Sequence, residues 1–210
     1  MNTLNVTYLG HSCFLLDFGG YRVVLDPYGD ESVPGLAPVR AEAEAVYCSH
    51  GHRDHNAAEA VTLTGGRAPA KFSVTEVPTD HDEAGGALRG KNTVRVFSFG
   101  PLRVAHLGDL GRPLTADETA RLRDLDLLLI PVGGFFTIDA AQAKAIIETL
   151  RPRVTVPMHY RTDTSGYDVI AHIDDALAVL GPADQAGDTI ALEARSGLIV
   201  MEQRLVSSNK

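Results

Sequence analysis

Between residues 50 and 55 the chain reads His50-Gly51-His52-Arg53-Asp54-His55, and the preceding run Ala45 to Ser49 is β-rich and delivers the chain onto His50. Neutral imidazole nitrogens and carboxylate oxygens are good ligands for zinc, manganese and iron. Alternate residues at a strand's end, here His50 and His52, can aim two rings at one ion. Asp54 and His55, at the opening of a short helical segment, can turn toward a second. A solvated His-rich turn is the plain alternative, but it leaves unexplained the other His and Asp residues that fall at strand ends elsewhere in the chain.

Upstream of this hexapeptide, Leu4 to Leu9, Ser12 to Phe18 and Tyr21 to Asp26 read as strands joined by tight turns, Gly19-Gly20 among them, before a loop from Pro27 to Pro38. Downstream, Asn56 to Leu63 predicts one or two helical turns stopped by Gly65-Gly66. Lys71 to Thr75 predicts a strand, and Thr93 to Phe99 with Leu102 to Leu107 a hairpin across Gly100-Pro101. The second half changes rhythm. Thr115 and Glu118 form a capping box for a helix ending near Asp124, and Asp126 to Val132 is a buried strand. Asp139 caps a helix from Ala140 to Leu150 that Arg151-Pro152 breaks, and the strand Val154 to Met158 ends on His159. Val169, Ile173, Ala176, Leu177 and Leu180 mark the apolar face of a third helix, and Thr189 to Glu193 and Leu198 to Gln203 are the last strands. A strand-rich half followed by αβ alternation predicts an α/β fold over residues 1–210 as one domain, two sheets face to face with helices outside.

Composition narrows the function classes. The 210 residues are 44% hydrophobic, enough for one full core, and Lys plus Arg number 19 against 27 Asp plus Glu, a net charge of -8. Nucleic-acid binding needs clustered cations, so a small-molecule substrate fits better. Leu127 to Phe136, interrupted by Pro131, Gly133 and Gly134, falls short of the about 20 residues a membrane span requires. The first basic residue is Arg22, so the charged start of a secretory signal is missing and the cytoplasm is the expected compartment. Cys13 and Cys48 are too few for a disulfide scaffold and are expected as reduced packing residues. No feature specifies an oligomeric state.

Six short motifs follow in order: Leu9-Gly10-His11-Ser12, Leu25-Asp26-Pro27, His50 to His55, Thr79-Asp80-His81-Asp82, Leu107-Gly108-Asp109 and Pro157-Met158-His159-Tyr160. In this set the chain resembles the metallo-β-lactamase superfamily, whose signature is His-x-His-x-Asp-His after a strand. Within it the chain is similar to the branch holding bacterial ascorbate-phosphate lactonase and N-acyl-phosphatidylethanolamine phospholipase D. The resemblance implies an αβ/βα four-layer sandwich with a binuclear metal site along one edge. Carried over by position, it implies that His50, His52 and His81 hold one divalent ion, that Asp54, His55 and His159 hold another, and that Asp109 bridges them. Zinc is the first expectation, with manganese and iron open. The implied activity is hydrolysis of a small phosphodiester, lactone or ester by a hydroxide at the two metals, with Asp54 or Asp109 moving the proton. Iron-dependent redox chemistry and a metal-stabilised binding module without turnover are the rival readings. The thiol ligand of typical zinc β-lactamases has no counterpart here, which disfavours antibiotic hydrolysis.

His81 and His106 compete for one place. His106 lies three residues before Asp109, so along a continuing strand their side chains face opposite ways, whereas His81 sits in a loop beside Gly85-Gly86 that can bend inward. His81 is therefore the expected ligand, and His106 lines the pocket, supports a ligand or packs. His11 and Asp26 are expected behind the ligands, Asp26 as acceptor for a ligating ring's other N–H, with an Asp-Pro turn as its alternative. Arg89, with Gly85-Gly86 and Lys91, forms a loop that could meet an anionic substrate group. Gly133, Gly134, Phe135 and Phe136 could wall the pocket. Tyr160 is a candidate oxyanion donor, with packing as its rival, and His172 is read as structural.

Overall fold

A computed structural model describes residues 3–207. In chain order its strands and α-helices are β1 (Leu4–Gly10), β2 (Cys13–Phe18), β3 (Tyr21–Leu25), β4 (Ala41–Ala43), β5 (Ala45–Tyr47), β6 (Val61–Leu63), β7 (Phe72–Asp80), β8 (Lys91–Phe99) and β9 (Leu102–His106), then α1 (Ala116–Arg121), β10 (Leu127–Pro131), α2 (Ala140–Leu150), β11 (Val154–Met158), α3 (Ile173–Leu180), β12 (Asp184–Ala186), β13 (Thr189–Ala191) and β14 (Gly197–Met201). Five strands form one sheet in the order β13-β1-β2-β3-β5, and seven form a second in the order β12-β14-β11-β10-β9-β8-β7.

The period-2 pattern of the first three strands decides how the sheets meet. Leu4, Val6 and Tyr8, Phe14 and Leu16, and Val23 and Leu25 all join the main core, while Leu9, Cys13 and Val24 face a second cluster on the other side. Both faces of the five-stranded sheet are thus covered. In the larger sheet, β9, β10, β11 and β14 run parallel, and every residue of Leu127-Leu128-Leu129-Ile130-Pro131 is buried, the continuous apolar pattern of a strand covered on both faces. The expected caps are present. Thr115 and Glu118 close a capping box on α1, and Asp139 with Gln142 does the same on α2. Arg151 ends α2 in the left-handed region, immediately before Pro152. His172 caps α3, its Nδ1 accepting the Asp174 N–H at 3.2 Å, a structural role as read.

The layered sandwich is the fold the sequence implies. The helices lie along the larger sheet, and the layer over the smaller one is made by the segment of Tyr28, Val33, Leu36 and Val39 with the short β4–β6 pair, where no α-helix occurs among the described residues. Several boundaries differ from expectation. Asn56 to Leu63 holds a single 3-10 turn, Ala58–Ala60, and then enters β6, because Val61 pairs with Ala41. The strand from Lys71 runs past Thr75 to Asp80, since β8 pairs with it in unbroken register from Phe72↔Phe99 to Asp80↔Lys91, and Pro78 is tolerated on this edge strand. The first helix ends at Arg121, short of Asp124. Val169 is 53% exposed and precedes α3 rather than lying on its apolar face. The strand from Thr189 stops at Ala191 and passes into a 3-10 turn. No helix among the described residues is long and apolar enough to cross a membrane.

Candidate metal centre

The ends of strands from both sheets meet along one edge. His11 occupies the β1–β2 turn, Asp26 follows β3, and His50 to His55 follow β5. From the larger sheet come His81 after β7, Asp109 after β9 and His159 after β11. Their ligating atoms fall into two clusters. His50, His52 and His81 form one, and His11, Asp54, His55 and His159 the other, the atoms of each lying within 4.8 Å of one another. Asp109 stands between them: its Oδ2 is 3.9 Å from His50 Nε2 and 3.3 Å from both His81 Nε2 and His159 Nε2, and its Oδ1 is 3.2 Å from His55 Nε2.

The second ring nitrogens show what this arrangement is built for. Asp26, fully buried, accepts from His55 Nδ1 at 2.8 Å, from Ser49 Oγ at 2.5 Å and from the Ser49 N–H at 2.6 Å. Ser49 Oγ in turn accepts from His50 Nδ1 at 2.9 Å. These bonds place the proton of each neutral ring on Nδ1 and leave the lone pairs of His50 Nε2 and His55 Nε2 pointing at the Asp109 carboxylate. Both of those atoms are buried without a hydrogen-bond partner, as are Asp109 Oδ1 and His159 Nε2. Lone pairs facing lone pairs in a buried site need a cation between them. Imidazole nitrogens and carboxylate oxygens, oriented from behind by a carboxylate, make a donor set that fits a divalent transition metal.

Electrostatics favour the ligating forms. Burial and the neighbouring His55 push His50 down to about 3, and burial and His159 push His11 down to about 4, so both rings are neutral at pH 7. Burial would raise the Asp54 and Asp109 carboxyls, yet the surrounding imidazoles hold both below the usual carboxylate range. His55 differs. Burial disfavours its charge, but Asp109 and Asp26 outweigh that and raise it well above the ordinary imidazole value. A metal ion between His55 and Asp109 would take the place of that proton.

Local backbone devices aim the ligands. His11, Asp26 and His159 adopt φ of 55°, 43° and 54°, the left-handed region that non-glycine residues rarely occupy and that recurs at functional sites. The His11 carbonyl accepts from the Tyr8 hydroxyl at 2.7 Å and from the His159 N–H at 2.9 Å, tying the two sheets at the site. At Gly108, with φ of +54°, a Cβ would collide with the Asn92 and Ser49 side chains, so only glycine lets the Asp109 turn approach. Asn92 fixes that turn, accepting the Asp109 N–H at 3.0 Å and donating to the Leu107 carbonyl at 2.9 Å.

The structure brings all seven expected ligands together and separates His81 from His106. His106 Nε2 donates to the Ser12 carbonyl at 2.9 Å and its Nδ1 accepts the Gly108 N–H at 3.2 Å, so it packs behind the Asp109 turn. His11 donates to Asp54 Oδ2 at 3.3 Å from within the second cluster, closer to the site than expected. Tyr160 requires correction: its buried hydroxyl lies 3.5 Å from the Met201 carbonyl, in the core. Across the left-handed backbone at His159, that ring joins the cluster of His11, Asp54 and His55 while the next side chain enters the core. Cys48 is half-buried, its thiol pushed up to about 11 by burial. Three residues escaped the sequence reading. Ser49 stands next to the hexapeptide, and that adjacency was the one available signal. Asn92 and Tyr167 carried none. Tyr167 donates to the Ser32 carbonyl at 2.6 Å and lies 3.4 Å from Asp54 Oδ2. A cavity of about 350 Å³ opens over the centre, lined by His52, Asp54, His81, Asp109, Phe136 and Tyr167, with Arg89 at its rim.

Comparison with known proteins identifies the family and the fold. Residues 5–159 match the beta-lactamase superfamily domain. The chain is 29% identical over 196 residues to a UPF0173 metal-dependent hydrolase of Archaeoglobus fulgidus, covering 76% of this chain and 84% of that protein. It is 32% identical over 197 residues to a UPF0173 metal-dependent hydrolase of Deinococcus radiodurans, covering 76% and 85%. A crystal structure of a candidate zinc-dependent hydrolase of the metallo-β-lactamase superfamily from Thermotoga maritima superposes with a TM-score of 0.75 at 28% identity, covering 96% of this chain and all of that one. With the domain match over residues 5–159 and a relative 32% identical over most of both chains, the chain belongs to the UPF0173 family of metal-dependent hydrolases in the metallo-β-lactamase superfamily.

Proposed function

We propose that the protein, acting as one domain, hydrolyses a small phosphodiester, lactone or ester at a binuclear metal centre. The observation that carries this reading is the convergence of four imidazole nitrogens, from His50, His55, His81 and His159, on the two oxygens of the buried Asp109 carboxylate. In this reading His50, His52 and His81 hold one ion, Asp54, His55 and His159 the other, and Asp109 lies between. The nitrogen-rich donor set favours zinc and also accepts manganese or iron. When bound, the ions would supply Lewis acidity and lower the pKa of water to about 7. The side chains supply the rest. Both carboxylates line the cavity, but Asp54 is 18% exposed against 3% for Asp109, so Asp54 is the better placed to take up and return a proton. Tyr167 and Phe136 give that cavity its aromatic lining. The likeness to the lactonase and phospholipase branch supports lactone and phosphodiester substrates.

Elemental analysis of the purified protein beside Asp109→Ala tests the reading. About two zinc or manganese ions per chain are expected, with less than half retained in the variant. Iron together with oxygen uptake would shift the assignment to redox chemistry. Failure to hold metal after gentle purification and reloading would overturn the site.

A further inference from the structure

The metal cavity does not end at its rim. Across Arg89 and Phe136, which belong to both, lies a second cavity of about 500 Å³ reaching Leu88, Phe135, Thr137 and Gln142. The Arg89 guanidinium sits 5.7 Å from the centre of the Phe136 ring. Among the described residues it has no hydrogen-bond or ion-pair partner, while Arg40, Arg112, Arg153 and Arg204 each face a carboxylate. The backbone that carries it is held in place. The buried Asp82 carboxylate accepts the backbone N–H groups of Ala84, Gly86, Leu88 and Arg89 at 2.9, 2.9, 3.0 and 2.7 Å, turning the loop into a rigid mount. An unpaired guanidinium on a fixed backbone, beside an aromatic ring, loses less freedom on binding than one on a free loop, and it matches the geometry of a carboxylate or phosphate. Beyond it, among the polar side chains of Glu83, Thr137 and Gln142, Leu88 is 75% and Phe135 62% exposed, two large apolar side chains beside one opening.

We infer that Arg89 binds an anionic group of the substrate and that the second cavity receives an apolar substituent. The substrate class is then an anionic ester, lactone or phosphoester carrying an aryl or alkyl tail. The inference rests on the metal-centre reading, which places the reacting group beside His52, Asp54 and Asp109. Two divalent ions against the Asp54 and Asp109 carboxylates leave a net charge of about +2, so the loaded centre and Arg89 attract the same anion. Glu83, which also lines the second cavity and accepts from Gln142 Nε2 at 3.2 Å, disfavours a second negative charge there and leaves Arg89 as the anion's position.

The test uses the zinc-loaded full chain and two non-hydrolysable probes, phenylphosphonate and methylphosphonate, with binding read by titration calorimetry. Phenylphosphonate is expected to bind roughly tenfold tighter than methylphosphonate. Arg89→Met should weaken both roughly tenfold or more with zinc content unchanged, and Arg89→Lys should restore part of the loss. A double Leu88→Ser, Phe135→Ser variant should lose the preference for the phenyl probe. Unchanged phosphonate affinity in Arg89→Met, equal affinity of the two probes for the parent protein, or loss of zinc in Arg89→Met would each overturn the inference. Arg89-dependent phosphonate binding by a zinc-loaded protein that cleaves no ester, lactone or phosphodiester would support this site while refuting the hydrolytic reading.

Discussion

Asp26 touches neither cavity, yet it reaches both candidate ligand clusters, directly to His55 and through Ser49 to His50. Orienting carboxylates of this kind raise ligand basicity and fix the ring tautomer. Asp26→Asn keeps a residue that tolerates φ of 43° but replaces one acceptor oxygen by a donor, so metal affinity should fall roughly 10- to 100-fold, measured by competition with a chelator. Ser49→Ala removes the link to His50 alone and should weaken only the cluster that contains it. Equal losses at both clusters in Ser49→Ala would contradict this relay. At this scale the sequence was partly legible. Asp26 ends a recognisable strand, whereas the proton route through Ser49 depends on β3 and β5 being paired side by side.

Two short elements carry more of the site than their size suggests. The loop after Asp82 is held by one carboxylate whose burial would raise it but whose four N–H donors keep it ionised. In Asp82→Ala the amides of Ala84, Gly86, Leu88 and Arg89 should exchange with solvent roughly tenfold faster, read by hydrogen exchange. At the start of α1, Arg112 bonds Glu118 at 2.7 and 2.9 Å and Asp80 at 2.7 Å. Arg112 lowers the Glu118 carboxyl, and Lys91 and then Arg112 lower that of Asp80. Depressed folded-state values stabilise the protein above the ordinary carboxylate range, and that contribution is lost as pH falls through them. Arg112→Met should therefore cost about 1–2 kcal/mol at pH 7 in urea unfolding, with the gap to the parent protein closing below about pH 4. A gap independent of pH would assign the loss to packing. The capping residues of α1 were plain in the sequence. The pairing of Arg112 with Asp80 was not, because it joins the helix to the end of β7.

Over the whole molecule, each of the two candidate ligand clusters draws on both sheets: His50 and His52 meet His81, and Asp54 and His55 meet His159. Ions at these positions would clamp the sandwich at one edge and bind the folded state alone. Zinc at a hundredfold excess over its dissociation constant should add about 2.7 kcal/mol to the unfolding free energy, and EDTA should lower the melting temperature accordingly. A melting temperature insensitive to EDTA in zinc-loaded protein would show that the sheets hold together without help from the centre.

The sequence by itself determined the strands with alternating apolar residues, three helices with the caps of the first two, the hexapeptide after β5 and the order of His and Asp residues at strand ends. Those features depend on neighbours within a few positions, where backbone period, turn chemistry and capping are written directly into the chain. Only the tertiary structure decided which distant residues share the site. The return of β13 to pair with β1, the exclusion of His106 and Tyr160, the Asn92 brace and the meeting of Arg89 with Phe136 all depend on strand order and on left-handed turns. Such contacts join segments far apart along the chain, and their register is fixed by the packing of both sheets together rather than by any local pattern.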